Sequence, residues 1–122
     1  MNNIANDATE PVSSPISYSA YASMTETLQG WTEKYNTIAS LSSIGKSYEG
    51  REIWAMKVSN NPGVDQKKPT VLIDGAHHAR EWISVEVPME TLKQLLEGYG
   101  KDERLTKLVD DHEIWFVPMI NP

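Results

Sequence analysis

Two short runs of consecutive apolar residues constrain this chain most: Val71-Leu72-Ile73 and Ile114-Trp115-Phe116-Val117, with a helix-patterned stretch between them. Short runs without alternation fit strands buried on both faces, the usual state in a parallel sheet covered by helices. Between the runs, Val85, Met89, Leu92 and Leu96 recur at helical spacing over about residues 84–99. The order strand, helix, strand therefore predicts a βαβ unit with a right-handed crossover. Pro88 is expected to kink the first turns of that helix, because it lacks an N–H and its ring crowds the preceding turn. Residues 70–73 read as a central strand.

Upstream, Ser23-Met24-Thr25-Glu26 has the form of a capping box, and Met24, Leu28, Trp31 and Tyr35 follow at helical spacing. This predicts a helix over about 23–35 with its stripe toward the core. Residues 41–44 and 53–58 are β-compatible and are joined by Gly45-Lys46-Ser47-Tyr48-Glu49-Gly50, whose glycines suit a turn, so they read as an antiparallel hairpin. Asn60-Asn61-Pro62-Gly63 and the polar residues to Lys68 form a loop. The fold class expected is α/β, a mixed β-sheet with packed helices, without internal repeats. Residues 1–16, rich in Asn, Ala, Ser and Pro, read as a flexible tail without the basic start and apolar stretch of a signal peptide. Residues 17–122 are the folded portion.

Composition narrows the chemistry. A chain of 122 residues is one domain or a piece of one. No apolar run approaches the roughly 20 residues a membrane helix needs, so the chain is expected to be soluble with no membrane partner. A net charge of -6 without a basic cluster argues against nucleic acid as a partner. With no cysteine, any metal site must be built from imidazole and carboxylate.

The residues that carry chemistry are Asp74-Gly75-Ala76-His77-His78-Ala79-Arg80-Glu81-Trp82, directly after the first apolar run. Ligands in open α/β sheets bind beyond the carboxyl ends of the strands. His78 and Glu81 are three apart, so a helical backbone between them sends both side chains to one side, where they can share a metal ion such as zinc. That spacing alone also occurs in solvated surface pairs. His77 is an alternative ligand, though a packed or supporting role fits it better, and Arg80 by itself could equally be a surface ion-pair residue. Trp82 reads as a core or rim aromatic. His112, at the start of the second apolar run, is expected at the opposite end of the sheet as an exposed turn residue. Glu103-Arg104 and Asp110-Asp111 read as solvated charge runs.

His78-Ala79-Arg80-Glu81-Trp82 resembles the zinc-binding motif of the metallocarboxypeptidases of the carboxypeptidase A and T type. Ile44-Gly45-Lys46-Ser47-Tyr48-Glu49-Gly50-Arg51 resembles the strand and turn that precede that motif, and Asn121-Pro122 the start of the family's Asn-Pro-Asp-Gly segment. The doubled histidine and the residues from Phe116 to Pro122 look more like bacterial members, some of which cut peptidoglycan stem peptides. The resemblance covers roughly 17–122 and implies the amino-terminal portion of a zinc-carboxypeptidase-like (phosphorylase/hydrolase-like) fold. It further implies zinc as cofactor, His78 and Glu81 as metal ligands, Arg80 as a substrate-binding residue, and a secreted protein acting on a peptide or stem peptide. In the family the third zinc ligand, the residues that bind the substrate carboxylate, and the Glu that serves as general base all follow the Asn-Pro segment. The chain is therefore expected to lack a catalytic residue of its own, to need the carboxy-terminal part of the domain as its partner, and to be inactive alone. A different class of reading is a non-catalytic module that binds a partner chain through the sheet edge.

Overall fold

The computed structural model describes residues 18–77 and 83–122. The tail expected at 1–16 lies outside the described residues, as do His78, Arg80, Glu81 and Trp82. In chain order the elements are α1 (Tyr18–Lys34), β1 (Ala39–Lys46), β2 (Glu52–Val58), β3 (Thr70–Asp74), α2 (Ile83–Gly98), α3 (Glu103–Asp111) and β4 (Glu113–Val117). Among the described residues no helix is long and apolar enough to cross a membrane.

The hairpin forms as expected, with β1 antiparallel to β2 from Ala39 opposite Val58 to Lys46 opposite Glu52, and a register shift between Ser43 and Lys46. Its turn closes through Ser47 N–H to the Arg51 carbonyl (2.8 Å) and Gly50 N–H to the Ser47 carbonyl (2.9 Å). Gly50, at φ 86°, takes a conformation that an L side chain disfavours. β2 pairs antiparallel with β4, and β4 parallel with β3, so the sheet is mixed with order β1-β2-β4-β3. Parallel β3 and β4, joined through α2 and α3, make the βαβ unit.

Alternation then sorts the side chains. Ala39, Val58, Ile114 and Val71 are successive partners across the sheet, as are Leu41, Met56, Phe116 and Ile73, so these two rows share one face. Met24 and Leu28 from α1, Leu92 and Leu96 from α2 and Val109 from α3 join that face in one core. Phe116, Met56, Leu28 and Leu92 are fully buried, each such side chain contributing about 1.5–3 kcal/mol. Polar ties hold α1 in place: the Tyr21 hydroxyl donates to the Glu52 carbonyl (2.8 Å) and the Trp54 indole N–H to the Thr25 hydroxyl (3.0 Å).

Two expectations need correction. β3 is not central but lies at the sheet edge, paired on one side with β4, so Val71 and Leu72 are 40% and 61% exposed. The capping-box residue Ser23 sits inside α1, its carbonyl accepting from the Thr27 hydroxyl (3.0 Å), because the helix runs back to Tyr18. Glu103-Arg104 and Asp111 are exposed and Asp110 half-buried, as expected of solvated charge runs, and they belong to an additional helix, α3, capped by the Asp102 carboxylate, which accepts from Arg104 N–H (2.9 Å) and Leu105 N–H (3.1 Å). Such a cap contributes about 1 kcal/mol. Pro88 lies inside α2.

Candidate active site

β3 ends at Asp74, and the chain leaves the sheet through Gly75, Ala76 and His77. Gly75 extends the pairing by one step, donating its N–H to the Val117 carbonyl (3.1 Å) and accepting from Ile120 N–H (3.0 Å). A side chain there is impossible without rearrangement, since a Cβ would stand 2.0 Å from the Ser84 carbonyl oxygen. Pro88 has no N–H to offer that carbonyl four residues back, and the oxygen lies over Gly75. The first turn of α2 and the glycine after β3 thus meet at one close approach.

Ala76 is fully buried at φ 57°, a left-handed conformation that costs a residue with a Cβ about 1–2 kcal/mol. Its N–H donates to the Ser84 hydroxyl at 2.6 Å, which joins the residue before the motif to the first turn of α2. Backbone held in a sparsely populated region persists only where its surroundings over-determine it, and such residues cluster at functional sites.

His77 follows, half exposed, with its Nε2 3.4 Å from Asp74 Oδ2, a contact that is an ion pair only with a protonated imidazole. At that exposure it contributes little to stability. The Asn121 side-chain amide donates to the His77 carbonyl (3.1 Å), so the Asn-Pro segment meets the residue that precedes the motif. Arg51, beside the hairpin turn, reaches the same edge, its Nη1 3.4 Å from the Pro122 carbonyl and 2.6 Å from Glu49 Oε1. His112 is exposed at the far end, its Nδ1 2.9 Å from the Leu108 carbonyl at the end of α3. It takes no part in this site, in line with the sequence expectation.

The structure thus brings Asp74, His77, Ser84 and Asn121 to the points where the chain enters and leaves residues 78–82. Among the described residues no three His, Asp or Glu side chains come together to hold a metal, so they do not complete a site around His77. The donor set of the motif itself, one imidazole and one carboxylate, is suited to zinc. Ser84 was not singled out from sequence, although a hydroxyl residue near a helix start is a recognisable signal. Asn121 was visible only as part of a motif, because its partner lies 44 positions away.

Residues 24–122 match the family model for zinc carboxypeptidase. The chain belongs to the zinc carboxypeptidase family. A zinc carboxypeptidase of Saccharothrix mutabilis subsp. capreolus is 42% identical over 112 residues, covering 88% of this chain and 26% of that protein. A protein of Uncinocarpus reesii named as an inactive metallocarboxypeptidase is 37% identical over 110 residues, covering 86% of this chain and 19% of its own length. Among solved structures, thrombin activatable fibrinolysis inhibitor superposes with a TM-score of 0.73 at 27% identity, over 89% of this chain and 28% of that one. The chain therefore spans about a quarter of the length of such relatives. Its mixed sheet with packed helices is the carboxypeptidase fold over the part present.

Proposed function

We propose that this zinc carboxypeptidase segment belongs to a peptidase that hydrolyses a peptide bond at or near a C-terminus, with His78 and Glu81 as two zinc ligands and Arg80 as a substrate contact. The observation that carries the reading is the position of the motif, between a strained and tightly bonded strand end at Gly75–His77 and the start of α2. In this family zinc supplies a polarised carbonyl and an acidified water. The part of this chain is to fix the imidazole and carboxylate that hold it, and to present the Arg80 guanidinium to the substrate. The third ligand and the general base belong, by family resemblance, to segments after Asn121-Pro122. The 122-residue chain by itself is accordingly expected to bind zinc weakly and to cleave nothing. Action outside the cell, on a peptide or a peptidoglycan stem peptide, is part of the same reading.

A second reading is a family member without peptidase activity, favoured by relatives named as inactive. Release of C-terminal residues from a peptide panel by the full-length polypeptide, with zinc content measured in parallel, separates the two. Activity that disappears in His78→Ala and Glu81→Ala together with the metal supports the peptidase. Zinc retained without cleavage of any peptide or stem peptide supports the inactive member. Zinc binding unchanged in both variants would remove this pair from the site.

A further inference from the structure

We propose that Ser84, assisted by Asn121, is a positioning residue for the zinc-binding motif: it ties together the backbone on the two sides of residues 78–82, from which His78 and Glu81 branch. The inference rests on the reading of those two residues as zinc ligands.

Ala76 and Ser84 are eight positions apart, a length of chain that fully extended would reach up to about 27 Å. Here they are in hydrogen-bond contact at 2.6 Å. A hydroxyl that only capped its own helix would accept from an N–H two or three residues further on. The Ser84 hydroxyl accepts from a residue that precedes the motif. Its carbonyl oxygen also packs directly on Gly75, so the start of α2 is fixed against the strand end by two separate contacts of one residue.

The other side is held as closely. Gly75 N–H, Gly75 C=O, Ala76 N–H and His77 C=O are bonded in succession to the Val117 carbonyl, Ile120 N–H, the Ser84 hydroxyl and the Asn121 amide. The left-handed Ala76 lies within this run, and the only other positive-φ residue besides glycine among those described, Lys67, is an exposed loop residue. A buried residue kept in that conformation immediately before a ligand pair is what a site needing defined ligand placement requires, since metal ligands work only within a narrow range of geometry. Partners that orient ligands without touching the metal commonly change affinity by about 10–100-fold when removed.

The test uses the full-length polypeptide. Zinc affinity is measured by competition with a chromogenic chelator, ligand geometry by the visible absorption of the cobalt(II)-substituted protein, and folding by thermal unfolding of the metal-free form. Ser84→Ala is expected to weaken zinc binding by about 10–100-fold and to shift the cobalt bands, while Ser84→Thr, which keeps the hydroxyl, restores both. Should Ser84→Ala not fold, Asn121→Asp decides the matter: it keeps the shape at an exposed position, removes the donor to His77, and is expected to weaken zinc about threefold to tenfold with a band shift. Wild-type affinity and cobalt bands in whichever variant folds would overturn the proposal, even where the metal-free protein melts earlier, because the role would then be structural alone. Zinc binding by the wild type no tighter than by His78→Ala would instead overturn the underlying assignment of the ligands.

Discussion

Where β4 begins, two opposite charges are buried against each other; where β3 ends, the backbone is bent and bonded, and the Asp74–His77 contact beside it is partly open to solvent. At the first place Lys57 and Glu113, 8% and 5% exposed, form an ion pair at 3.0 Å. Glu113 also accepts from Gln66 N–H (3.1 Å), and the Lys57 ammonium donates to the Val64 carbonyl (3.1 Å) while lying 5.7 Å from the Trp115 ring centre. Every partner comes from the loop between β2 and β3 or from the sheet beneath it, so the pair pins a loop. A concave surface of about 550 Å³ near this end, lined by Lys101, Glu103, Lys107 and Asp110 among others, is likewise away from the motif. At the second place the constraint falls on peptide groups from Gly75 to His77. Satisfied charges fix the first end, whereas bonded and partly strained peptide groups fix the second.

The sharpest way to break this contrast is Gly75→Ala. The new methyl would collide with backbone, not with a side chain that can turn away, so we expect a loss of roughly 3 kcal/mol or more in denaturant unfolding. A loss below about 1 kcal/mol would mean the strand end is pliable, and the account of a rigid site would fail.

At the other end, Glu113→Gln leaves the Lys57 ammonium buried without its counter-charge and should lower the melting temperature at neutral pH. The hydrogen bond from Gln66 N–H, followed by that from Lys57, holds the Glu113 carboxyl below its ordinary value of 4.5. A carboxyl lowered on folding contributes stability that is fully present above its unfolded value and is lost as pH falls through its folded value. The deficit of the variant should therefore be full above about pH 4.5 and shrink progressively below it. A deficit that stays constant in melts taken down into the acid range would show that the charge is not what matters.

The smallest effects compare the two left-handed residues. Lys67 at φ 56° is exposed, so Lys67→Gly relieves strain and should add about 0.5 kcal/mol once the extra freedom of the unfolded chain is subtracted. Ala76→Gly relieves the same strain but deletes a buried methyl, so unfolding should find it within about 0.5 kcal/mol of the wild type. Equal stabilisation at both positions would mean the Ala76 methyl packs against little.

Local pattern carried much of the architecture. The hairpin, the two apolar strands and α2 follow from residue type and spacing within single windows, and the motif identifies the family because its residues are contiguous. α3 was missed because its charged residues dominate a short window, although Asp102 as a cap and Leu105 with Val109 on one face carry its signal. The start of α1 was displaced because a capping box describes only what its four residues can do at a helix end, while the turn before it is helical as well. The exposure of β3 was misjudged because an apolar run tells what a strand can bury and not which neighbours it has.

The sequence by itself determined the chemistry available at the strand end: an imidazole, a guanidinium and a carboxylate in one short motif, with no thiol anywhere. Only the tertiary structure decided what holds the backbone on either side of that motif. The bonds from Ala76 to Ser84 and from His77 to Asn121, like the pairing of Lys57 with Glu113, join residues whose proximity depends on sheet order, strand register and the path of α2. Those are properties of the whole packed chain. A serine, an asparagine or a lone lysine reads the same in sequence whether its partner is water or a buried peptide group, and packing alone settles which.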